Sequence, residues 1–279
     1  MAELPLIEPS LADLRREIDR IDAEMHALLM ERGTIIDRLI AVKKTQDSGS
    51  AFRPGREAAM MRVLAARHQG LLPFDTVESI WRVIISTFTF VQAPYAVHAD
   101  ISVGDAPMRD SARFHFGFTV PYITHKDATS VIKAVAQAAG DLGIFALAPQ
   151  PASTPWWQDL IGPHTPKIIA RLPFVERSNH PASTPVFVIS KPLADAAVRE
   201  RIVYAARAKD WSVAMGPKLE ASSVTIEAFA ADGQDKTALL MSAPEALNAS
   251  AFSALFSNLG VSLSDITEVG SHAARFHLA

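Results

Sequence analysis

Three polar residues occupy positions on predicted apolar helix faces where packing alone would favour leucine: Arg32, Glu57 and Gln92. Two further cations, Arg15 and Lys43, are four heptads apart, so they flank the first apolar stripe on the same side at its opposite ends. A charge removed from water must be paired, or it costs several kcal/mol. Because arginine binds a carboxylate through two parallel hydrogen bonds, the pattern predicts an apolar-walled pocket for a small dicarboxylate.

A purely structural interpretation of the same residues is also open. Arginine and lysine lay their stems along apolar surfaces and keep their charges in water, so a long helix readily carries cations beside its stripe. For any single residue this interpretation carries the greater weight, and the spacing does not identify a substrate. The whole set favours a binding pocket: Arg15, Arg32, Lys43 and Arg56, with Glu57 and Gln92 alongside.

The first of the helices that position these residues is unusually long. Ser10 is a good N-cap and Asp13 follows at the third helical position, close to a capping box. Apolar residues then recur at spacings of four and three from Leu14 to Val42. About 35 helical residues span ~50 Å. A domain of ~90 residues cannot cover so long a stripe by itself, so we predict a homodimer through this helix.

Two shorter helices follow. Pro54 can begin a second helix, from about residue 55 to 69, which Gly70 interrupts. The third begins near Asp75 or Thr76, either of which can cap it. It ends before Pro94, because a residue preceding proline is pushed out of helical geometry. The apolar stripe predicted for the third helix is Trp81, Ile85, Phe88 and Gln92.

Composition narrows the classes of function. A chain of 279 residues predicts two compact units or three small ones. Hydrophobic residues make up 49% and charged residues 20%, which excludes global disorder. The net charge of −3 gives no basic excess for nucleic-acid binding. The absence of cysteine excludes disulfides, thiolate metal sites and a cysteine nucleophile, and it fits a reducing cytoplasm. We expect no signal peptide, no membrane span, no metal and no cofactor.

Residues 9–93 resemble the all-helical (class II) chorismate mutases. The resemblance rests on LADLRREIDRIDAEMHALLMERGTIIDRLIAVKK, FRPGREAAMMRVL and IWRVIISTFTFVQ. The pattern L-R-x-x-I-D-x-I-D is followed in order by L-L-x-E-R, K, R-E and a final Q, at fitting intervals. The resemblance implies a three-helix domain that forms an intertwined helical dimer and takes chorismate as its substrate.

The resemblance also implies a role for each matching residue. Arg15 would reach into the partner's active site and bind one substrate carboxylate, while Arg32 and Arg56 would help to hold the carboxylates within the chain. Lys43 and Gln92 would donate to the ether oxygen of the enolpyruvyl bridge.

Glu57 would accept a hydrogen bond from the ring hydroxyl. Two positions depart from the family pattern, since Arg53 replaces an aspartate and Phe88 replaces a small polar residue. We include both among the substrate-binding positions.

The implied chemistry suits these residue types. The rearrangement of chorismate to prephenate is pericyclic, so it requires no nucleophile, metal or acid–base pair. The protein must hold a compact reactive conformer, which lowers the entropic part of the barrier. It must also place hydrogen-bond donors at an oxygen that becomes more negative as the C–O bond breaks. Lys43 must be protonated for this role.

Residues 96–192 resemble part of a prephenate dehydratase, through ISVGDAP, SARFHFG and VIKAVAQAAGDLGIFALAP. Helix-then-strand order predicts an α/β lobe with parallel pairing. The family's catalytic T-R-F falls on Thr184-Pro185-Val186-Phe187, after Asn179, so its arginine is missing. We therefore expect a non-catalytic lobe; an unrelated α/β domain is the alternative. Trp156-Trp157 is expected to be a packing anchor.

Residues 193–279 resemble the regulatory domain called ACT, a βαββαβ unit of the α+β class. The predicted helices are 195–209 and 247–258, and the predicted strands are near 212–216, 223–230, 236–242 and 265–269. The effector signature E-S-R-P is absent. The predicted domains are 1–95, 96–192 and 193–279, with a regulatory role open for the last.

The leading hypothesis is a chorismate mutase of phenylalanine and tyrosine biosynthesis with a non-catalytic C-terminal region. An isochorismate pyruvate-lyase is the second enzyme hypothesis, and release of pyruvate would distinguish it. The third hypothesis is a catalytically weak ligand-binding or dimerisation module that controls a partner enzyme.

Overall fold

The computed structural model describes residues 9–43, 50–147, 150–177, 180–192, 198–233 and 235–278. The chain divides into two compact units, Met1–Asp47 and Ser48–Ala279. The coarse prediction of a helical N-terminal region followed by an α/β sheet region is confirmed. The predicted domain boundaries at residues 95 and 192 were drawn from family resemblances and not from compactness. They stay a prediction.

The described residues of the first unit form one long helix, α1 (Leu11–Lys43), of 33 residues. It begins with the predicted capping box, because Ser10 N–H donates to Asp13 Oδ2 at 3.0 Å and Asp13 N–H donates to Ser10 Oγ at 3.2 Å. Its apolar stripe is exposed in the single chain, with Ile18 at 57%, Met25 at 51% and Leu28 at 63%. An exposed apolar surface of this length is typical of an interaction site.

Two helices open the second unit, α2 (Pro54–Arg67) and α3 (Phe74–Gln92). Their existence and their ends agree with the prediction to within about two residues. The buried face of α3 differs from the predicted stripe. Trp81, Phe88 and Gln92 are only half-buried, and the buried residues of α3 are Phe74, Glu78, Arg82, Ile85, Ser86 and Thr89. The prediction was wrong because it assumed that the buried face would be apolar.

The rest of this unit is built around a nine-stranded sheet in the order β2-β1-β3-β6-β4-β10-β7-β9-β8. The first part consists of β1 (Val97–Asp100), α4 (Asp105–Phe116), β2 (Tyr122–His125), α5 (Ala128–Gln137), β3 (Leu142–Ala146), β4 (Lys167–Leu172), β5 (Val175–Glu176) and β6 (Val186–Ser190). The second part consists of β7 (Arg201–Lys209), α6 (Gly216–Ala221), β8 (Thr225–Ala231), β9 (Lys236–Pro244), α7 (Ala249–Asn258), β10 (Ser262–His272) and β11 (Phe276–His277).

The predicted parallel pairing is confirmed at one edge, where β1 pairs in parallel with β2 and β3. The two parts of the sheet meet where β10 pairs with β4 at Gly270 and Ile168. Gly270 has φ +152°, and a Cβ there would lie 2.1 Å from the carbonyl oxygen of Ile168. This close approach of two backbones therefore requires glycine.

Two elements predicted in the last hundred residues are wrong. Residues 201–209 of the predicted helix 195–209 form β7, and residues 193–197 lie outside the described residues. The predicted strand near 212–216 is a 3₁₀ turn at Val213–Met215 that leads into α6. The alanine-rich β7 has helical propensity, but it lies between β9 and β10, and pairing on both sides overrides that propensity. The resulting order, β7-α6-β8-β9-α7-β10, is still βαββαβ.

The tryptophan pair is a packing anchor, as predicted. Trp157 is fully buried, and Trp156 stacks on Phe145 with ring centroids 4.2 Å apart. Both tryptophans belong to the hydrophobic cluster that α5 forms with the strands on one face of the sheet.

Candidate functional site

Three predicted site residues lie on α1, within the first unit. Arg15 is exposed and Arg32 is half-buried. Lys43 is the last residue of α1, and its side chain lies outside the described part of the chain. The helix places Arg15 and Lys43 near its two ends, as the heptad spacing predicted.

Two arginines lie at the start of α2. Arg53 precedes the helix, and its Nη1 donates to the carbonyl oxygens of Ser50 at 2.6 Å and Phe52 at 3.1 Å. These bonds fold the guanidinium back onto the chain, which gives Arg53 a local structural role. Arg56, in the first turn, is exposed to solvent.

Glu57 is buried, with 6% of the residue exposed, and its carboxylate is bound within the chain. Nη1 of Arg82, on α3, donates to Glu57 Oε2 at 2.7 Å, and the Arg82 side chain is only 1% exposed. Burial raises the pKa of Glu57, and the charge of Arg82 opposes that shift. The pair holds the carboxylate in one orientation while keeping its charge compensated.

Arg82 is the residue that sequence reasoning missed at this site. It also lies 3.8 Å from Glu78, one helical turn earlier, and it covers the ring of Phe174 at 5.1 Å from the centroid. Arg177 extends this network by binding Glu78 and Asp75. The available signal was the spacing of Glu78 and Arg82, which places opposite charges on one face of α3.

Gln92 and Phe88 are half-buried at the end of α3. Nε2 of Gln92 donates to the carbonyl oxygen of Phe88 at 2.9 Å. An amide nitrogen carries two hydrogens, so this bond is compatible with a second donation from the same nitrogen.

The predicted site residues are therefore divided between the two units. The second unit brings Glu57 into a charged network with α3, whereas Arg56 faces solvent on the neighbouring position of α2. A single pocket that contains these residues together with Arg15, Arg32 and Lys43 stays a prediction.

The dehydratase-like motif lies at β6. Val186 and Phe187 are buried within the strand, and Pro185 lines a cleft of about 800 Å³ together with Arg177 and Arg275. Asn179 lies outside the described residues.

Across the described ranges, no group of three or more His, Asp or Glu residues is arranged to hold a metal ion. No helix in those ranges is long and apolar enough to cross a membrane.

Residues 14–93 match the family model "Chorismate mutase type II". A curated relative, the "Bifunctional chorismate mutase/prephenate dehydratase" of Neisseria gonorrhoeae, is 31% identical over 111 residues, which cover 40% of this chain and 30% of the relative. The match thus spans less than a third of that relative's length.

A solved structure of prephenate dehydratase from Streptococcus mutans matches with a TM-score of 0.39 at 13% identity, covering 65% of this chain and 98% of that one. The match to the family model extends over most of α1 and all of α2 and α3, and it includes every predicted site residue. Residues 14–93 are therefore similar to the chorismate mutase type II family.

Proposed function

We propose that this protein is a chorismate mutase, which rearranges chorismate to prephenate in the biosynthesis of phenylalanine and tyrosine. The observation that carries the proposal is the match of residues 14–93 to the type II family model. The relative from Neisseria gonorrhoeae, whose name includes the same activity, supports it.

In the proposed reaction the arginines bind the two substrate carboxylates and hold the reactive conformer. Arg32 and Arg56 serve their own chain, and Arg15 serves the site of the partner protomer. Lys43 and Gln92 donate to the ether oxygen, where negative charge develops as the C–O bond breaks. No proton needs to leave the protein for the rearrangement to proceed.

Glu57 accepts the hydrogen bond of the ring hydroxyl in this mechanism. Its Oε2 is already bound by Arg82, so the hydroxyl would be received by Oε1. Arg82 then acts as a positioning residue, because it fixes the carboxylate that touches the substrate and favours its charged form. Glu57 is therefore already oriented before the substrate binds, so substrate binding does not have to supply that free energy.

We also propose that the active form is a homodimer through α1. The exposed stripe of α1 supports this, since its apolar side chains would be buried against a second copy. Each dimer would contain two sites, and each site would receive Arg15 from the other protomer.

For the C-terminal region we propose a non-catalytic dehydratase-like lobe, residues 96–192, and an ACT-like unit, residues 193–279. The substitution of the family's catalytic arginine by Pro185 supports the first assignment. The βαββαβ order and the sheet order β10-β7-β9-β8 support the second.

The test is to incubate the purified chain with chorismate and to identify the products by NMR. Prephenate is expected, without phenylpyruvate at neutral pH. Lys43→Ala is expected to abolish turnover, whereas Lys44→Ala, the same change one residue later, is the matched control. If pyruvate is a product, the isochorismate pyruvate-lyase hypothesis is favoured instead. If chorismate is not consumed, the hypothesis of a catalytically weak binding module is favoured.

A further inference from the structure

A row of polar side chains crosses five adjacent strands at one end of the sheet. In spatial order it consists of Arg171 on β4, His272 on β10, Arg201 on β7, Ser242 on β9 and Glu227 on β8. His272 and Arg201 are direct partners across β10 and β7. His272 is 3% exposed, Ser242 1% and Glu227 6%. Packing a sheet does not require buried charges, which cost free energy unless they are compensated.

The compensation within this row is partial. Arg171 Nη2 pairs with Glu227 Oε2 at 2.8 Å, and Ser242 Oγ donates to Glu227 Oε1 at 2.6 Å. Arg201 Nη2 donates to the carbonyl oxygen of Ser242 at 3.0 Å. Among the residues that the structure describes, no carboxylate forms an ion pair with Arg201. Its hydrogen-bond partners, Thr225 and Ser242, are neutral, and the carboxylate of Glu227 acts on its charge from a greater distance.

These side chains line a cavity of about 460 Å³, which Arg275 also enters from the segment after β10. Arg275 pairs with Glu176 at 3.1 Å. Three arginines from separate elements thus surround one cavity, a concentration of guanidinium groups suited to binding a carboxylate.

Three arginines and three glutamates line the cavity, and the arginines act most directly on His272. Burial lowers the pKa of His272 to about 3, and Arg171, Arg201 and Arg275 add to that shift. Within the described part of the chain, Nε2 of His272 and Nε of Arg171 and Arg275 are buried without a hydrogen-bond partner. A negatively charged group in the cavity would relieve both the repulsion and part of the desolvation cost.

Hydrogen-bond acceptors and small hydroxyls lie beside the arginines. Glu227, Thr225 and Ser223 line the cavity, Arg201 Nη2 donates to Thr225 Oγ1 at 3.4 Å, and Glu220 lies at the exposed rim. A ligand whose polar groups are all ionised carboxylates has no hydrogen to donate to these acceptors. A hydroxyl can donate to them instead.

We propose that this cavity binds a small hydroxycarboxylate, with its carboxylate between Arg201 and Arg275 and its hydroxyl towards Thr225 and Glu227. The volume lies within the range of small-molecule pockets and excludes a folded partner. The site shares no residue with the proposed mutase site, so either proposal can fail without the other.

The experiment is a calorimetric titration of the full chain at neutral pH and low ionic strength with L-malate and with succinate. Succinate has the same skeleton without the hydroxyl, so it is the matched probe. L-malate is expected to bind, and succinate is expected to bind at least several-fold more weakly, because a hydrogen bond to a charged group is lost. Absence of binding at about 10 mM L-malate, or equal affinity for both probes, would overturn the proposal.

Arg201→Gln tests the guanidinium directly. It is expected to weaken L-malate binding by roughly tenfold or more, since it removes a charge-assisted hydrogen bond. Arg199→Gln is the control, because Arg199 is an exposed arginine nearby that pairs with Glu245 and Glu268 outside the cavity. Unchanged L-malate affinity in Arg201→Gln would refute the assignment.

Circular dichroism shows whether Arg201→Gln is folded. If it is not, Thr225→Val serves instead and is expected to weaken L-malate binding several-fold, because it removes a hydroxyl from the cavity wall. Inorganic phosphate is the final probe. Weaker binding than L-malate supports a hydroxycarboxylate site, whereas equal or tighter binding means a general anion site and overturns the proposed ligand class.

Discussion

Replacing Arg82 by methionine tests whether the buried network around Glu57 has the importance that its geometry indicates. The Arg82 side chain is 1% exposed and lies 2.7 Å from Glu57 and 3.8 Å from Glu78. Methionine keeps much of the volume but removes the charge, so Glu57 loses the partner that its buried carboxylate has in the chain. Glu78 keeps its contact with Arg177.

The magnitude follows from the uncompensated charge. Removing one partner of a buried ion pair costs about 3–5 kcal/mol. With a slope of ~2–3 kcal/mol per M urea, the unfolding midpoint is expected to fall by about 1–2.5 M. Arg67→Met, at the exposed end of α2, is the matched control and should change stability by at most about 0.5 kcal/mol.

A double substitution separates lost pairing from lost volume. If the cost arises from the orphaned carboxylate, adding Glu57→Met to Arg82→Met should recover part of the stability, because both partners are then apolar. A midpoint for Arg82→Met equal to that of Arg67→Met would refute the reasoning. The reasoning would also be refuted if the double variant lost more stability than the two single variants lose together.

Three further predictions concern the dimer, the shared site and the pH dependence. Leu28→Glu places a charge on the α1 stripe and is expected to yield monomers that do not turn over chorismate. Light scattering measures the oligomeric state, and consumption of chorismate measures the activity. An active dimer would contradict the α1 interface. Arg15→Ala and Arg32→Ala dimers should each be nearly inactive. Mixing the two variants should restore part of the activity, since a heterodimer contains one intact site. If subunit exchange is confirmed and no activity returns, both residues act in the site of one chain. Burial lowers the folded pKa of His115 and His272 below the usual 6.5, so both stabilise the fold fully above about pH 6.5 and lose this contribution as pH falls. Relative to pH 7.5, each histidine should lower the free energy of unfolding by about 1.4 kcal/mol at pH 5.5, measured in urea. His115→Phe should remove about that amount from the loss of stability between the two pH values; an unchanged loss would show that His115 is not buried neutral.

The sequence predicted the helical region well because its signals are local. The capping box at Ser10, the heptad stripe of α1 and the break before Pro94 each act within a few residues, and each appears in the structure. The match of residues 14–93 to the type II family model agrees with the family resemblance, whereas the roles of the predicted site residues stay predictions.

The errors lie where distant contacts decide the outcome. The alanine-rich segment 201–209 is a strand because β9 and β10 pair with it, and neither partner is near it in sequence. The buried face of α3 is polar because Glu57 and Arg177 supply charges from other elements. A pattern search for apolar stripes cannot find a helix face that is buried through ion pairs.

The same contacts show what the C-terminal region does for the helices that carry part of the predicted site. Arg177 holds Glu78, and Phe174 packs on Arg82, so the loop around β5 completes the surroundings of the Glu57 pair. Because these partners come from beyond residue 95, the orientation of Glu57 depends on the sheet region as well as on α2 and α3. The C-terminal region therefore has a physical role as part of the support for a carboxylate on which the proposed mutase reaction relies.

At a second point α2 meets the sheet region directly. Arg62 binds Glu200 through two hydrogen bonds, at 2.9 and 2.7 Å, and also donates to the carbonyl oxygen of Ala274 at 2.7 Å. Glu200 and Ala274 are the neighbours in sequence of Arg201 and Arg275, which line the proposed hydroxycarboxylate cavity. The helix that carries Arg56 and Glu57 is thus bonded to the backbone that positions the cavity arginines. Arg62 is one of the contacts through which a ligand that shifted those arginines would act on α2, and its contribution to such a coupling is measurable as a difference between binding free energies.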